Sequence, residues 1–158
     1  MSILLTRVDD RLIHGQVVIG WGRPLALTRI VLVDRGVRSS PWEQELYRMA
    51  APAEIALDFL APEEAAPRLA EWSENRERVM VLAGSVATVA ELVRLAPGGI
   101  HQVNLGGIHA GTGRTERLSY IHLTPEETAA LKQLVEVGVE VIAQDVPSSR
   151  AVPLRELS

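Results

Sequence analysis

The stretch "RVMVLAGSVATVAELVRLAPGG" (residues 78–99) contains one complete strand-and-helix unit. Its apolar run at 78–84 has the length and continuity of a buried strand. The segment that follows begins with Ser85, a residue type that commonly caps helices, and closes on Pro-Gly-Gly, which stops them. Because units of this kind recur along the chain, the stretch predicts how the remainder folds.

Six further apolar runs of strand length occur, at 2–8, 29–34, 53–60, 100–105, 117–123 and 139–144. Several are continuous rather than alternating, which is typical of strands covered on both faces. Helix-starting signals lie between them, including a capping box formed by Thr124 and Glu127, and Gly138 suits the end of that helix. The alternation predicts an α/β fold with a parallel, doubly wound sheet and helices on both faces.

Length and composition indicate one packed domain spanning residues 1–158. The chain is 47% hydrophobic but only 4% aromatic, so the predicted core is aliphatic. No apolar run approaches the roughly 20 residues that span a bilayer, and the first ten residues lack secretory signal features, so a cytoplasmic location is expected. The absence of cysteine excludes disulfides and thiolate chemistry.

The charge of the chain argues against nucleic acid as a partner. Its net charge is −4, whereas nucleic-acid-binding domains usually carry a basic excess. The distribution is uneven, since residues 1–38 contain six arginines and three aspartates, and residues 43–75 contain eight acids and two arginines. The amino-terminal part is therefore the region where an anion is expected to bind.

The segment "TRVDDRLIHGQVV" (6–18) places charged residues directly after the first predicted strand. They would lie at the carboxyl end of that strand, where open α/β sheets place their sites. His14 would stand at the start of the next helix. The unpaired amides there and the helix dipole favour an anion, and a glycine lets the backbone approach it closely. The unpaired amides are those of Gly15, Gln16 and Val17, and the glycine is Gly15.

These residue types suit phosphoryl transfer, which needs a nucleophile and cationic hydrogen-bond donors because charge spreads over three phosphoryl oxygens. His14 is the candidate nucleophile, since an imidazole with a pKa of roughly 6.5 keeps a neutral nitrogen at neutral pH. Arg11 and Arg7 are the candidate donors, and either Asp9 or Asp10 could hold the ring or an arginine in place. The alternative interpretation is a solvated helix start beside a capped turn, with no chemistry.

The glycine-rich segment "GGIHAGTGRTE" (106–116) is predicted to be a loop between the fifth and sixth runs. Its lone glycine pattern is not followed by Gly-Lys-Ser/Thr, so nucleotide binding is not predicted. A loop flanking the His14 pocket is expected instead, and His109 could reach the site from it.

Neither a metal nor another cofactor is predicted. The three remaining histidines, His101, His109 and His122, match no ligand spacing. Ser85 could contact a phosphate, but capping of its helix is the favoured role.

The motif "RVDDRLIHGQV" (7–17) resembles the phosphorylation-site segment of IIB components in mannose/fructose/sorbose-family sugar phosphotransferase systems. Three other features resemble that family in order: "VLVD" (31–34) followed by "MAAP" (49–52), "VNLGGIHAGTGR" (103–114), and "LKQLVEVGVEVIAQDVP" (131–147). The resemblance therefore covers essentially the whole chain.

The resemblance implies a protein-Nπ-phosphohistidine–sugar phosphotransferase. Such a phosphocarrier accepts a phosphoryl group from a phosphohistidine on a IIA protein and passes it to a sugar bound by the membrane components IIC and IID. It would work in the cytoplasm, peripherally associated with that permease. The family's phosphohistidine falls on His14, with the phosphate on Nδ1, and its phosphate-binding arginine falls on Arg11. Asn104 and Gly106 lie in another matching segment. The implied fold is an open twisted sheet of seven strands, mostly parallel, with one antiparallel edge strand.

The sequence departs from the family after the second strand, at "VDRGVRSS" (33–40). Arg35 replaces the second of two acids, and Ser39 and Ser40 lie where Asn-Asp is common. An exposed Arg35 would make the rim of the site more positive and could change the choice of partner. An alternative function follows, namely a regulatory module that is phosphorylated on His14 but serves no sugar transport.

A histidine phosphatase is a weaker alternative, because "IHG" (13–15) lacks the Arg-His-Gly motif of those enzymes. The sequence does not identify the sugar, and it leaves the oligomeric state open, a homo-oligomer included.

Overall fold

A central sheet organises the part of the chain, residues 3–157, that the computed structural model describes. Its strands are β1 (Ile3–Asp9), β2 (Arg29–Val33), β3 (Ala56–Leu60), β4 (Val79–Ala83), β5 (Gln102–Gly107), β8 (Glu140–Ala143) and β9 (Val152–Pro153). They lie in the order β3-β2-β4-β1-β5-β8-β9. All neighbours are parallel except β8 and β9, so the predicted mostly parallel sheet with one antiparallel edge strand is confirmed.

Helices cover both faces of this sheet. They are α1 (Arg35–Arg38), α2 (Pro41–Ala50), α3 (Pro62–Ala65), α4 (Leu69–Glu74), α5 (Val86–Leu95) and α6 (Pro125–Glu136). A π-helical turn at Gln16–Trp21 and short 3₁₀ turns at Ala66–Arg68 and Leu154–Glu156 complete the helical segments.

The core forms two apolar clusters, one on each face of the sheet. Successive residues of β2, such as Ile30 and Val31, are completely buried but belong to different clusters. One cluster contains residues of α4, α5 and α6, and the other contains the π-helical turn and Val37 of α1. Burial on both faces explains why the strands appear in the sequence as continuous apolar runs.

The seventh strand of the sheet is not the one that the sequence predicts. The run at 117–123 is interrupted by a turn and contributes to a separate antiparallel hairpin of β6 (Thr115–Leu118) and β7 (Ile121–Leu123). The edge position belongs to β9, which pairs with β8. A strand of two residues is too short to leave a periodic signal.

Three predicted helix ends are confirmed in atomic detail. The Thr124 hydroxyl accepts a hydrogen bond from the Glu127 amide at 3.0 Å, and the Glu127 carboxylate accepts one from the Thr124 amide at 2.9 Å. Gly138, at φ +94°, follows the end of α6. Ser85 caps α5 by accepting from the Thr88 amide at 3.1 Å, which is its favoured role.

Candidate active site

Asp9, the last residue of β1, is the centre of the charged cluster at the carboxyl edge of the sheet. Its side chain is completely buried. One oxygen, Oδ1, accepts from the backbone amide and the Nε of Arg11, each at 3.1 Å. The other, Oδ2, accepts from Arg11 Nη2 at 3.1 Å and lies 3.6 Å from Arg7 Nη2 and 3.9 Å from His14 Nε2. Asp9, rather than Asp10, is thus the carboxylate beside His14 and Arg11.

Arg7 lies beneath the site, not in it. Its fully buried guanidinium donates to Asn104 Oδ1 at 2.6 Å and to the carbonyls of Gln144 and Asp145, each at 2.8 Å. It also lies 4.8 Å from the centre of the Trp21 ring. The expectation that Arg7 donates directly to a phosphoryl group does not fit this position, because the side chain has no exposed surface.

Burial lowers the pKa of Arg7 to about 10, although the Asp9 carboxylate opposes the change. The group therefore stays charged at neutral pH and helps to compensate the buried Asp9. Gly106 makes room for it, because a Cβ there would lie 1.9 Å from Arg7 Cζ. The role of Gly106 is thus to admit the guanidinium.

Arg11 is the cation that faces outward. Its side chain is 37% exposed while Asp9 holds it through two nitrogens, so it can meet an anion in a fixed orientation. Gly107 permits this pair, since a Cβ there would lie 2.9 Å from Asp9 Oδ1 and 3.2 Å from Arg11 Nη2. Gly107 is not among the site residues predicted from the sequence, although the paired glycines at the end of β5 were an available signal.

The His14 ring is partly exposed, at 21%, and both nitrogens are turned inward. Its Nδ1 lies 2.8 Å from the Leu12 carbonyl oxygen. Its Nε2 is buried towards Asp9 and has no hydrogen-bond partner within residues 3–157. Leu12 itself is held at φ +62°, a left-handed conformation that costs a branched residue roughly 1–2 kcal/mol. The ring must therefore leave this position before either nitrogen can accept a group.

The segment after His14 is a π-helical turn and not the regular helix that the sequence predicts. The amides of Val17 and Val18 both donate to the His14 carbonyl at 3.0 Å. The Val17 amide is therefore paired, whereas the sequence predicts that it is free to bind an anion. Gln16 donates from Nε2 to the Asp145 carbonyl at 2.8 Å. A Cβ on Gly15 would meet no atom within 4 Å, so this glycine is not sterically required in the present conformation.

Asp10 connects the site to the loop after β5. Its carboxylate accepts from the backbone amide of His109 at 2.8 Å and lies 2.5 Å from His109 Nδ1. Arg114 holds the loop from the other side, donating to the His109 carbonyl at 2.9 Å and to both oxygens of Glu127. The structure thus brings His109 beside the His14 loop.

A cavity of about 160 Å³ lies between this loop and the β6–β7 hairpin. Its polar lining includes Arg11, Gln16, His109, Tyr120, His122 and Asp145. Partial burial raises the pKa of Tyr120 above its ordinary value.

The remaining histidines do not assemble. His101 is exposed just before β5, whereas His122 lies on β7 with Nδ1 3.1 Å from the Ile108 carbonyl. Across residues 3–157, no group of three or more His, Asp or Glu side chains is arranged to hold a metal ion. No helix in the same range is both long and apolar enough to cross a membrane.

The rim formed by α1 is not a free positive surface. Arg35 pairs with Glu63 at 2.8 Å and with Glu91 at 2.5 Å, and Arg38 pairs with Glu64 at 2.9 Å. The expectation of a more positive rim is wrong, because acids of α3 and α5 compensate these arginines.

A doubly wound sheet with an imidazole, a buried carboxylate and an outward-facing guanidinium at its carboxyl edge defines an α/β protein whose charged cluster lies where open sheets of this class place their sites. The family of the chain can be stated more narrowly than this class. The chain belongs to the sorbose subfamily of phosphotransferase-system (PTS) IIB components, whose family model matches residues 3–157. The resemblance found in the sequence is confirmed. IIB components of this kind are phosphotransferases in sugar uptake and act with IIA proteins and membrane components IIC and IID.

Known relatives match nearly the whole chain. The N-acetylgalactosamine-specific phosphotransferase enzyme IIB component 2 of Escherichia coli (strain K12) is 27% identical over 99% of this chain and 98% of its own length. The crystal structure of the IIBSor domain of the sorbose permease from Klebsiella pneumoniae is 28% identical, covers 99% of this chain and 96% of that one, and has a TM-score of 0.88. The mannose-specific EIIAB component of E. coli (strain K12) is 27% identical over 99% of this chain, which spans 48% of that longer protein.

Proposed function

We propose that this chain accepts a phosphoryl group on His14 from a phosphorylated IIA protein and transfers it to a sugar bound by membrane components IIC and IID. The observation that carries the proposal is the arrangement around Asp9, which holds the cation Arg11 beside the His14 ring at the carboxyl edge of the sheet. A nucleophile and an oriented guanidinium are the two groups that phosphoryl transfer requires.

In the first transfer, a neutral nitrogen of His14 attacks phosphorus while the bond to the IIA imidazole breaks and its electron pair returns to that ring. Arg11 donates hydrogen bonds to the phosphoryl oxygens. Asp9 orients Arg11 and the His14 ring, and Arg7 acts from below as a positioning residue for Asp9. Acceptance on Nδ1, which the family resemblance implies, requires the ring to leave the Leu12 carbonyl.

The proposed place of action is the cytoplasmic face of the membrane, beside the permease. The match to half of an EIIAB component supports a IIA protein as the phosphoryl donor. The regulatory alternative rests on the altered segment 33–40, and the ion pairs of Arg35 remove only the part of it that concerns a positive rim.

The complete relay tests the proposal. Phosphorylated IIA, this chain, membranes carrying IIC and IID, and a radiolabelled sugar are combined, and sugar phosphate is measured. We expect sugar phosphate with the wild type and none with His14→Ala. Equal product with His14→Ala would refute the proposed role of His14, and phosphorylation of the chain without any sugar phosphate would favour regulation.

A further inference from the structure

Asp10 and His109 form a second carboxylate–imidazole pair, which the transfer from IIA to His14 does not use. His109 binds Asp10 through both its backbone amide, at 2.8 Å, and its ring Nδ1, at 2.5 Å. The ring is nevertheless 63% exposed. It is therefore fixed in orientation yet open to solvent.

We propose that His109 is the proton acceptor for the sugar hydroxyl in the second transfer, with Asp10 as its orienting carboxylate. This inference rests on the proposed function, because it concerns the discharge of phosphorylated His14. It assigns the reaction a catalytic residue in addition to His14 and Arg11.

The contacts of the ring select the nitrogen that does the chemistry. With Nδ1 bound to Asp10, Nε2 is left as the nitrogen that can take up a proton. A carboxylate on the far side of the ring stabilises the imidazolium that results, as in other acid–base pairs. Arg114 keeps the loop in place by bonding the His109 carbonyl and Glu127.

The position of His109 also fits this role. His109 and Arg11 line the same cavity of about 160 Å³, so a proton acceptor and a phosphate-binding cation face one space. Of the other bases nearby, Asp145 accepts through Oδ1 from the Val146 amide at 2.8 Å and from the Ser149 hydroxyl at 2.7 Å. Asp9 is buried and holds Arg11, and His122 has Nδ1 at the Ile108 carbonyl and Nε2 3.6 Å from Glu116.

The second transfer exchanges one bond to phosphorus for another. The sugar hydroxyl oxygen attacks phosphorus, the phosphorus–nitrogen bond to His14 breaks, and its electron pair returns to the His14 ring. The hydroxyl proton passes to His109 Nε2 and then to solvent. The first transfer runs between two imidazoles and releases no hydroxyl proton, so removal of His109 Nε2 should slow the second transfer selectively.

His109→Asn is the decisive variant, because the asparagine amide can still donate to Asp10 from the place of Nδ1 but has no counterpart of Nε2. His122→Asn is the matched control on the same cavity. Each protein is charged with ³²P from phosphorylated IIA. It is then discharged in a single turnover onto membranes carrying IIC and IID, with N-acetylgalactosamine, L-sorbose or mannose as the acceptor.

We expect His109→Asn to charge close to the wild-type rate and to discharge roughly 10²- to 10⁴-fold more slowly, the range for loss of a general base. His122→Asn should discharge like the wild type. A normal discharge rate in His109→Asn would overturn the inference. An equal slowing of both transfers would also overturn it, because it would show that His109 only holds the loop in place. A charged wild type that discharges to none of the three sugars would also overturn it, whereas failure of charging would contradict the proposed function itself.

Discussion

Two loops at the carboxyl edge of the sheet contain similar residues and use them differently. The segment 9–15, which starts at the last residue of β1, and the segment 34–40 after β2, which contains α1, each begin with an aspartate and carry arginine. In the first, the buried Asp9 carboxylate binds Arg11 and also lies 3.9 Å from Nε2 of the His14 ring. In the second, Asp34 caps α1 by accepting from the Val37 amide at 2.9 Å, and the arginines turn outward.

The difference lies in what holds each arginine. Arg11 is bound from behind by a carboxylate that has no solvent exposure, so its outer side is free for an anion. Arg35 is bound on the surface by Glu63 and Glu91, which cancel its charge where a partner would meet it. Residue type alone therefore does not distinguish the two segments; the burial of the counter-charge does.

The largest effect is expected from Asp9→Asn. This variant leaves the buried Arg7 charge uncompensated, and breaking a buried ion pair in this way costs about 3–5 kcal/mol. Urea denaturation measures the change in the free energy of unfolding. Asp34→Asn is the matched control after β2, where the change should cost little because asparagine caps a helix about as well as aspartate. Equal midpoints for both variants would show that the burial of Asp9 does not distinguish the loops.

Arg11→Ala should slow charging by phosphorylated IIA by roughly 10² to 10³, the range for loss of one transition-state donor. Arg35→Ala should change that rate far less, because Arg35 donates its hydrogen bonds to Glu63 and Glu91 and not to Asp9. Stopped-flow or quench measurements of charging compare the two variants. A similar loss in both would mean that the α1 rim contributes to the site after all.

A smaller effect is expected from pH at Glu127, which anchors the His109 loop through Arg114. Partial burial tends to raise the pKa of Glu127, but hydrogen bonds from Arg114 and Thr124 outweigh it and keep the pKa below its usual value. Such a group stabilises the fold above its unfolded pKa, and this contribution is lost as the pH falls through the folded pKa.

Between about pH 7 and about pH 3, the wild type should therefore lose about 1 kcal/mol or less of unfolding free energy relative to Glu127→Gln. Urea denaturation at a series of pH values provides the measurement. Parallel pH profiles for the two proteins would contradict the proposed anchor.

The strand–helix alternation could be predicted because strands buried on both faces leave continuous apolar runs. The capping box at Thr124 could be predicted because it is local. The position of His14 beside Arg11 followed from one short motif at the end of a strand. Each of these signals lies within a few residues in the chain.

Long-range partners could not be predicted. Arg7 is buried because its acceptors, Asn104, Gln144 and Asp145, come from β5 and the segment after β8, 97 to 138 residues away. The choice between Asp9 and Asp10 depends on which side of the strand end each carboxylate faces. The neutralisation of Arg35 depends on acids contributed by α3 and α5.

Intact-mass analysis after incubation with phosphorylated IIA tests the central claim most directly. The wild type should gain one acid-labile phosphoryl group, located on His14 by peptide mapping, and His14→Ala, shown to be folded by circular dichroism, should gain none. A wild type without added mass, or a His14→Ala variant that still gains the group, would contradict the account.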